Sequence, residues 1–350
     1  MKFLIVALVI VALAGVDLAL EKTERAELSS VAADYEQTGL RLLQEGHVPE
    51  AVEALRQAHT LARRNRDYQL ALVRGLTAQN RFSEAEALLN ELLQQSSNDG
   101  AANLAAAHLM AARGDTEQTE SYYHRAIYGE WPRDAEDAQK RVRLELIEFL
   151  ARINRPQALL AELISLQARP ELDNHIQQQI AALFLKAGSP GRAVQVYQSL
   201  LAKQGQSGDL YKRLGEAELA TGDYSGALSS FLKAFRLNPA DNAIRGRMEL
   251  AGSMASLDPT PRRLSSREKY RRSMRILELA DERKSKCTHA EDQTNQVASR
   301  PAPAQITNEL AESQLSEAEQ MWKESLAECG PSTSAKEEPL RLIMLKLGQQ

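Results

Sequence analysis

The side chains of this 350-residue chain able to do acid–base, nucleophilic or metal chemistry are six histidines, two cysteines and 47 acidic residues. The histidines are His47, His59, His108, His124, His175 and His289. None stands in a His-Glu-x-x-His unit, which would put two zinc ligands and a base on one helix face. No nucleophile elbow or phosphate-cradling glycine loop is present either. His47 follows a glycine at a turn, and His59 and His124 fall on second helices of the hairpins derived below, where a solvated imidazole is ordinary. The carboxylates are scattered over helix faces, and no pair is set apart by its neighbours. Cys287 and Cys329 belong to no CxxC or metal-spaced set; they could pair in an oxidising compartment, and the sequence leaves that open. The expectation is a chain with no catalytic residue, cofactor or metal, although a site assembled from distant positions would leave no motif.

What remains is the scaffold itself. Hydrophobic residues make up 43% of the chain and aromatics 5%, with alanine, leucine, glutamine and glutamate dominant and β-branched runs confined to the start. Unbranched side chains lose little freedom in a helix, so the composition predicts an all-α fold. A net charge of −4 argues against a chain tuned as a whole for nucleic acid, and none is expected as partner.

After Lys2, residues 3–16 carry no polar side chain, and beyond Asp17 the apolar character extends to Leu20. Eighteen residues of helix span roughly 27 Å, close to the hydrocarbon thickness of a bilayer. Residues 1–20 are therefore expected to be a membrane anchor. The leading Lys2 places the amino terminus in the cytoplasm and the body outside. A cleaved signal ending near Ala14, giving a secreted or periplasmic protein, is the alternative, and a buried first helix is the bland reading.

Spacing organises the middle of the chain. Around residues 208–241, Tyr211, Leu214, Gly215, Gly222, Asp223, Tyr224, Ala227, Phe231, Ala234 and Pro239 stand in order. Turn residues recur at Gly46, Asn80, Gly114, Asn154, Gly188 and Gly222. Small residues follow them at Ala51, Ala85, Thr119, Ala158, Ala193 and Ala227. Four positions on come Leu55, Leu89, Tyr123, Tyr197 and Phe231, with Glu162 as the exception. Units then begin near Ala32, Arg66, Gly100, Gln139, Asn174 and Gly208, in steps of 34, 34, 39, 35 and 34 residues. The long step holds a loop-like insertion at residues 128–133. Small residues such as Gly39, Ala107, Ala181 and Gly215 allow two helices to cross closely. A single hairpin cannot bury its apolar face, so neighbours must stack.

This order of an aromatic, Leu-Gly, Ala, an aromatic and Pro resembles the tetratricopeptide repeat family over residues 32–241. The resemblance implies a right-handed α-solenoid of about six stacked hairpins, preceded by the single apolar amino-terminal helix. Its first helices would line a concave groove that takes a peptide or a partner helix. Carrying the family's groove positions onto this chain gives Arg74, Thr77, His108, Lys140, Arg143, His175, Gln178 and Lys212 as polar candidates, with Glu36, Leu40, Leu70 and Leu104 lining the earlier part. The terminal-carboxylate clamp of chaperone-binding members is not expected, because Glu36 and Leu40 occupy its first positions.

Residues 242–286 read as a capping helix and then a basic helix opened by a capping box at Ser265 and Glu268. Seven basic residues against one acid lie between Arg262 and Arg275. They suit anionic lipid, an acidic partner or nucleic acid, or simply form a solvated helix face. Residues 287–305 read as a flexible linker, and 306–350 as a helix followed by a tail ending in a short helix. The function expected is a membrane-anchored, non-catalytic scaffold that holds a protein or peptide. The alternative is an envelope assembly factor acting through the basic and carboxy-terminal helices.

Overall fold

A computed structural model describes residues 2–132, 134–168, 172–288, 305–331, 334 and 336–348. Within its first helix, side chains are described at 22, 24 and from 26 onward. Among the described residues there are sixteen helices and no strand. The chain forms two compact units, residues 1–154 and 155–350.

The first unit holds α1 (Lys2–Glu45), α2 (Val48–Leu61), α3 (Arg66–Ala78), α4 (Phe82–Gln95), α5 (Gly100–Arg113), α6 (Thr116–Ile127) and α7 (Ala135–Arg152). Each helix packs on the next, and α1, α3 and α5 also touch in series, as stacked hairpins require. The unit boundary falls at Asn154, the turn of the least regular copy. Among the described residues no helix is long and apolar enough to cross a membrane. The apolar run at 3–20, expected to be the anchor, lies in α1 but outside the described side chains.

Every expected turn residue adopts the left-handed backbone: φ is 85° at Gly46, 61° at Asn80, 80° at Gly114, 57° at Asn154, 70° at Gly188 and 78° at Gly222. This region costs an ordinary L residue about 1–2 kcal/mol, and glycine and asparagine bear it best. The next N–H reaches back over the helix end at five turns: His47 to Leu42 O, Arg81 to Leu76 O, Asp115 to Met110 O, Ser189 to Phe184 O and Asp223 to Glu218 O, all within 3.0 Å. Those bonds satisfy carbonyls that the helix end leaves bare. Side-chain oxygens of Asn65, Asp99, Asp115, Asp173, Ser207, Asp223 and Asp241 accept from N–H groups at the following helix starts.

Close crossing explains the small residues. A Cβ on Gly39 would lie 2.5 Å from Leu55 Cγ, and one on Gly215 would lie 2.9 Å from the Phe231 ring. Leu55 and Phe231 are wholly buried as a result, each contributing about 1.5–3 kcal/mol. Glu162, which replaces the large apolar residue in the fourth copy, is buried as well.

The insertion after α6 folds back on the start of α5. Trp131 Nε1 donates to Ala126 O at 2.9 Å, and a Cβ on Gly100 would collide with its ring at 2.4 Å. Glu130 closes the contact, since Gly100 N–H donates to its carbonyl at 2.9 Å and its own N–H donates to Asn98 O at 2.7 Å. Arg66 at the start of α3 forks onto Asp99, the cap of α5, and so ties consecutive units.

The second unit holds α8 (Pro156–Gln167), α9 (Asn174–Lys186), α10 (Pro190–Gln204), α11 (Gly208–Thr221), α12 (Tyr224–Leu237), α13 (Asn242–Leu257), α14 (Ser266–Thr288), α15 (Asn308–Cys329) and α16 (Glu338–Leu347). Ser265 accepts from Glu268 N–H at 3.3 Å, the capping bond expected at the start of α14. Arg272 on α14 donates to Ala255 O and Asp258 O, both at 2.7 Å, capping the end of α13. Residues 287 and 288, read from sequence as the start of a linker, are the last turn of α14; residues 289–304 lie outside the described residues.

Unlike the hairpins, α14 and α15 run parallel. Arg283 meets Ser325 at 3.1 Å, Lys284 meets Glu324 at 2.5 Å, and Cys287 and Cys329 form a disulfide, so partners keep a nearly constant offset. The core beneath joins Tyr224, Met254, Leu257, Ile276, Leu277, Trp322, Ile343 and Met344. α16 returns to the array: Lys346 Nζ donates to Gly222 O at 2.9 Å and to Asp258 at 2.7 Å, and lies over the Tyr224 ring.

Candidate functional site

In residues 1–154 the polar side chains expected from sequence to line a groove lie on the first helices α1, α3, α5 and α7. Glu36 on α1 faces Asp67 and Arg74 on α3. Burial and the Asp67 charge push its carboxyl up, and Arg74 opposes them. Arg74 is exposed, while Thr77 one turn on donates its hydroxyl to Val73 O at 2.8 Å. On α5, His108 Nε2 lies 2.8 Å from Glu145 Oε2 on α7, which bridges successive first helices.

The remaining candidates are placed less uniformly. Arg143 is 5% exposed, and its guanidinium sits 5.9 Å from the ring centre of Tyr128, itself 71% exposed. On a helix turning about 100° per residue, Arg143 and Glu145 point to nearly opposite sides of α7. Arg143 thus supports the loop side, and Glu145, not singled out from sequence, takes the face shared with His108. Lys140 is half-buried. Leu40 is half-buried, and Leu70 and Leu104 are buried; Leu40 and Leu70 pack in the hydrophobic core of the first unit. In residues 155–350, His175 is exposed, Gln178 is half-buried, and Lys212 pairs with Asp241, the cap of α13, at 3.1 Å.

Two residues that the sequence reading missed stand out. Glu145 was legible as part of an i, i+3, i+4 series with Arg141, Leu144 and Glu148. Tyr128 had no signal beyond its place in an insertion. An exposed tyrosine held by a buried arginine offers a large, pre-oriented contact surface, the kind that anchors protein interfaces.

An imidazole beside a carboxylate is half of a general-base relay. The hydroxyl-bearing ring at hand is Tyr123, edge-on to His108 with centroids 6.0 Å apart. Burial first, then the Glu145 charge, pushes the Tyr123 phenol up to about 12, so it keeps its proton near neutrality. Among the described residues no group of three or more His, Cys, Asp or Glu could hold a metal ion.

Comparison with known proteins fits this architecture. Family models described as tetratricopeptide repeat match residues 42–109 and 179–242. No curated protein matches the chain. Among solved structures, pilF of Pseudomonas aeruginosa is 19% identical, with 63% of this chain and 97% of that one covered and a TM-score of 0.41. PilW, described as a widely conserved type IV pilus biogenesis factor, is 14% identical over 61% and 97%, with a TM-score of 0.40. YrrB, described as having an unusual peptide-binding site, is 16% identical over 55% and 96%, with a TM-score of 0.38. These likenesses are too distant to bear on what the chain does.

Proposed function

We propose that this tetratricopeptide repeat protein is a non-catalytic interaction scaffold whose first-helix face in residues 1–154 receives an extended peptide or a helix of a partner protein. The observation that carries the reading is the recurrence of polar pairs between first helices, Glu36 with Arg74 across α1 and α3 and His108 with Glu145 across α5 and α7. Mixed charge of this kind gives register and partner choice.

The reading includes anchorage by residues 3–20, with the body on the extracytoplasmic side. The apolar run and Lys2 support it, as does the Cys287–Cys329 disulfide, since such bonds persist in oxidising compartments. Protease added to intact cells should degrade the repeats if the body lies outside; full protection would overturn the topology.

Photo-crosslinking tests the binding face. A benzoylphenylalanine at position 74 or 141 should trap a discrete partner, whereas one at the exposed second-helix position Glu53 should not. Absence of an adduct at both face positions, or equal capture at 53, would reject the face.

The alternative, an assembly factor working through the basic and carboxy-terminal helices, cannot be separated by deleting residues 262–350. That cut would expose Tyr224, Met254 and Leu257, which α14 and α16 help to bury. Point substitutions on the exposed side of α14 are the usable tool.

A further inference from the structure

A second concave surface lies wholly within residues 155–350. One side of α14, from Arg267 to Lys286, forms its long wall. The end of α13, at Ser253 and Leu257, closes one edge, and Ile306 with Ser334, Lys336, Glu337, Pro339 and Leu340 closes the other, enclosing about 1010 Å³. That length of helix runs about 29 Å, room for eight or nine residues of extended chain.

Its lining carries seven cations and the carboxylates Glu278, Glu282 and Glu337; Arg271 and Arg272 pair with Glu268, Arg275 with Glu278, Lys286 with Glu282 and Arg283 with Glu337, so the positive excess sits at Arg267 and Lys336. Two of the cations are fixed by the fold. Arg272 is held by the carbonyls that end α13, and Arg283 by Ser325 at 3.1 Å, by Gly330 O at 2.8 Å and by Glu337. At the mouth, Arg267 and Lys336 are exposed. Between the cations lie the apolar groups of Leu257, Tyr270, Met274, Leu279 and Leu340. A bare polyanion would leave that apolar surface unused, and a flat bilayer would not enter a walled groove. A chain segment with carboxylates and apolar side chains in alternation satisfies both.

We propose that this groove docks an acidic amphipathic segment of a partner protein, distinct from whatever occupies the first-helix face. The probe is a fluorescein-labelled peptide of alternating glutamate and leucine, titrated by anisotropy against the full chain in detergent with its disulfide intact. Saturable binding is expected, weakened about tenfold or more by raised salt and by the double variant R267E/K336E. The glutamine version of the peptide should not bind. Both replaced side chains are exposed, so circular dichroism and melting should match the parent and exclude misfolding. Absence of saturable binding, or equal affinity in the double variant, overturns the proposal. Two other results also overturn it. One is Arg267- and Lys336-dependent binding to phosphatidylcholine–phosphatidylglycerol vesicles without peptide binding, which assigns the groove to lipid. The other is a sedimenting dimer that the double variant dissolves, which assigns it to a second copy. Neither outcome touches the cross-linking test at 74 and 141.

Discussion

Cys287 and Cys329 are joined at the carboxy-terminal ends of two parallel helices, closing a segment with a sequence separation of 42 residues. The chain-entropy model gives a loop of that size about 3–4 kcal/mol of stabilisation. C287S/C329S should lower the stability of the second unit by about that amount, and dithiothreitol should reproduce the loss in the parent chain. Thermal unfolding with and without reductant measures it; equal melting in all three samples would show that the bond contributes nothing.

Two glycines inside helices should respond with opposite sign to alanine. At Gly246, exposed on α13, a Cβ meets nothing within 4 Å, so G246A should stabilise by about 0.5–1 kcal/mol through helix propensity alone. At Gly39 the same gain competes with a Cβ 2.5 Å from Leu55 Cγ. Leu55 is wholly buried and has nowhere to retreat, so overpacking of about 1–3 kcal/mol wins and G39A should destabilise. Denaturant midpoints decide, and a stabilised G39A would show that the hairpin crossing is loose.

Glu218 sits buried beneath α12 and accepts from the Ser230 hydroxyl at 2.6 Å. Burial, the largest cause, pushes its carboxyl up, and the Ser230 bond opposes this only partly. A folded value above the unfolded one means that ionisation is resisted by the fold. The penalty is absent below the unfolded value, grows as pH rises toward the folded value and is complete above it. E218Q, which keeps an oxygen for Ser230, should therefore gain on the parent at pH about 8 and lose the advantage at pH about 4, near the ordinary glutamate range. A difference that does not vary with pH would refute the ionic explanation.

Lys346 holds α16 to the end of the repeats through Gly222 O, Asp258 and Tyr224. K346A leaves the Asp258 carboxylate, with a side chain 4% exposed, short of its cation. A loss of about 2–3 kcal/mol is expected, with faster amide exchange across α16. D258N in the same chain should recover part of it, because the stranded charge is then gone. Unchanged exchange in α16 would mean that the apolar contacts of Leu340, Ile343 and Met344 hold it alone.

The hairpins were legible because their signals are local. Six left-handed turns at near-constant spacing and small residues opposite large ones are written within a few residues of where they act. Arg143 shows where that reading weakens: family position put it in the groove, but it is buried against the Tyr128 ring and points nearly opposite to Glu145 on α7. The parallel pairing of α14 with α15 was not legible at all. It depends on matches such as Arg283 with Ser325 that follow no repeat, and two cysteines fit a pair or two free thiols equally well.

The bond from Lys346 to Gly222 spans 124 positions, whereas five of the repeat turns are tied by neighbours five apart. As the polypeptide leaves the ribosome, every hairpin has its partners at once, but the last one waits for the far end of the chain to arrive. Until residue 346 emerges, Met254, Tyr224 and Leu257 stay wetted, and that interval is when a nascent chain of this protein is most open to chaperones and proteases.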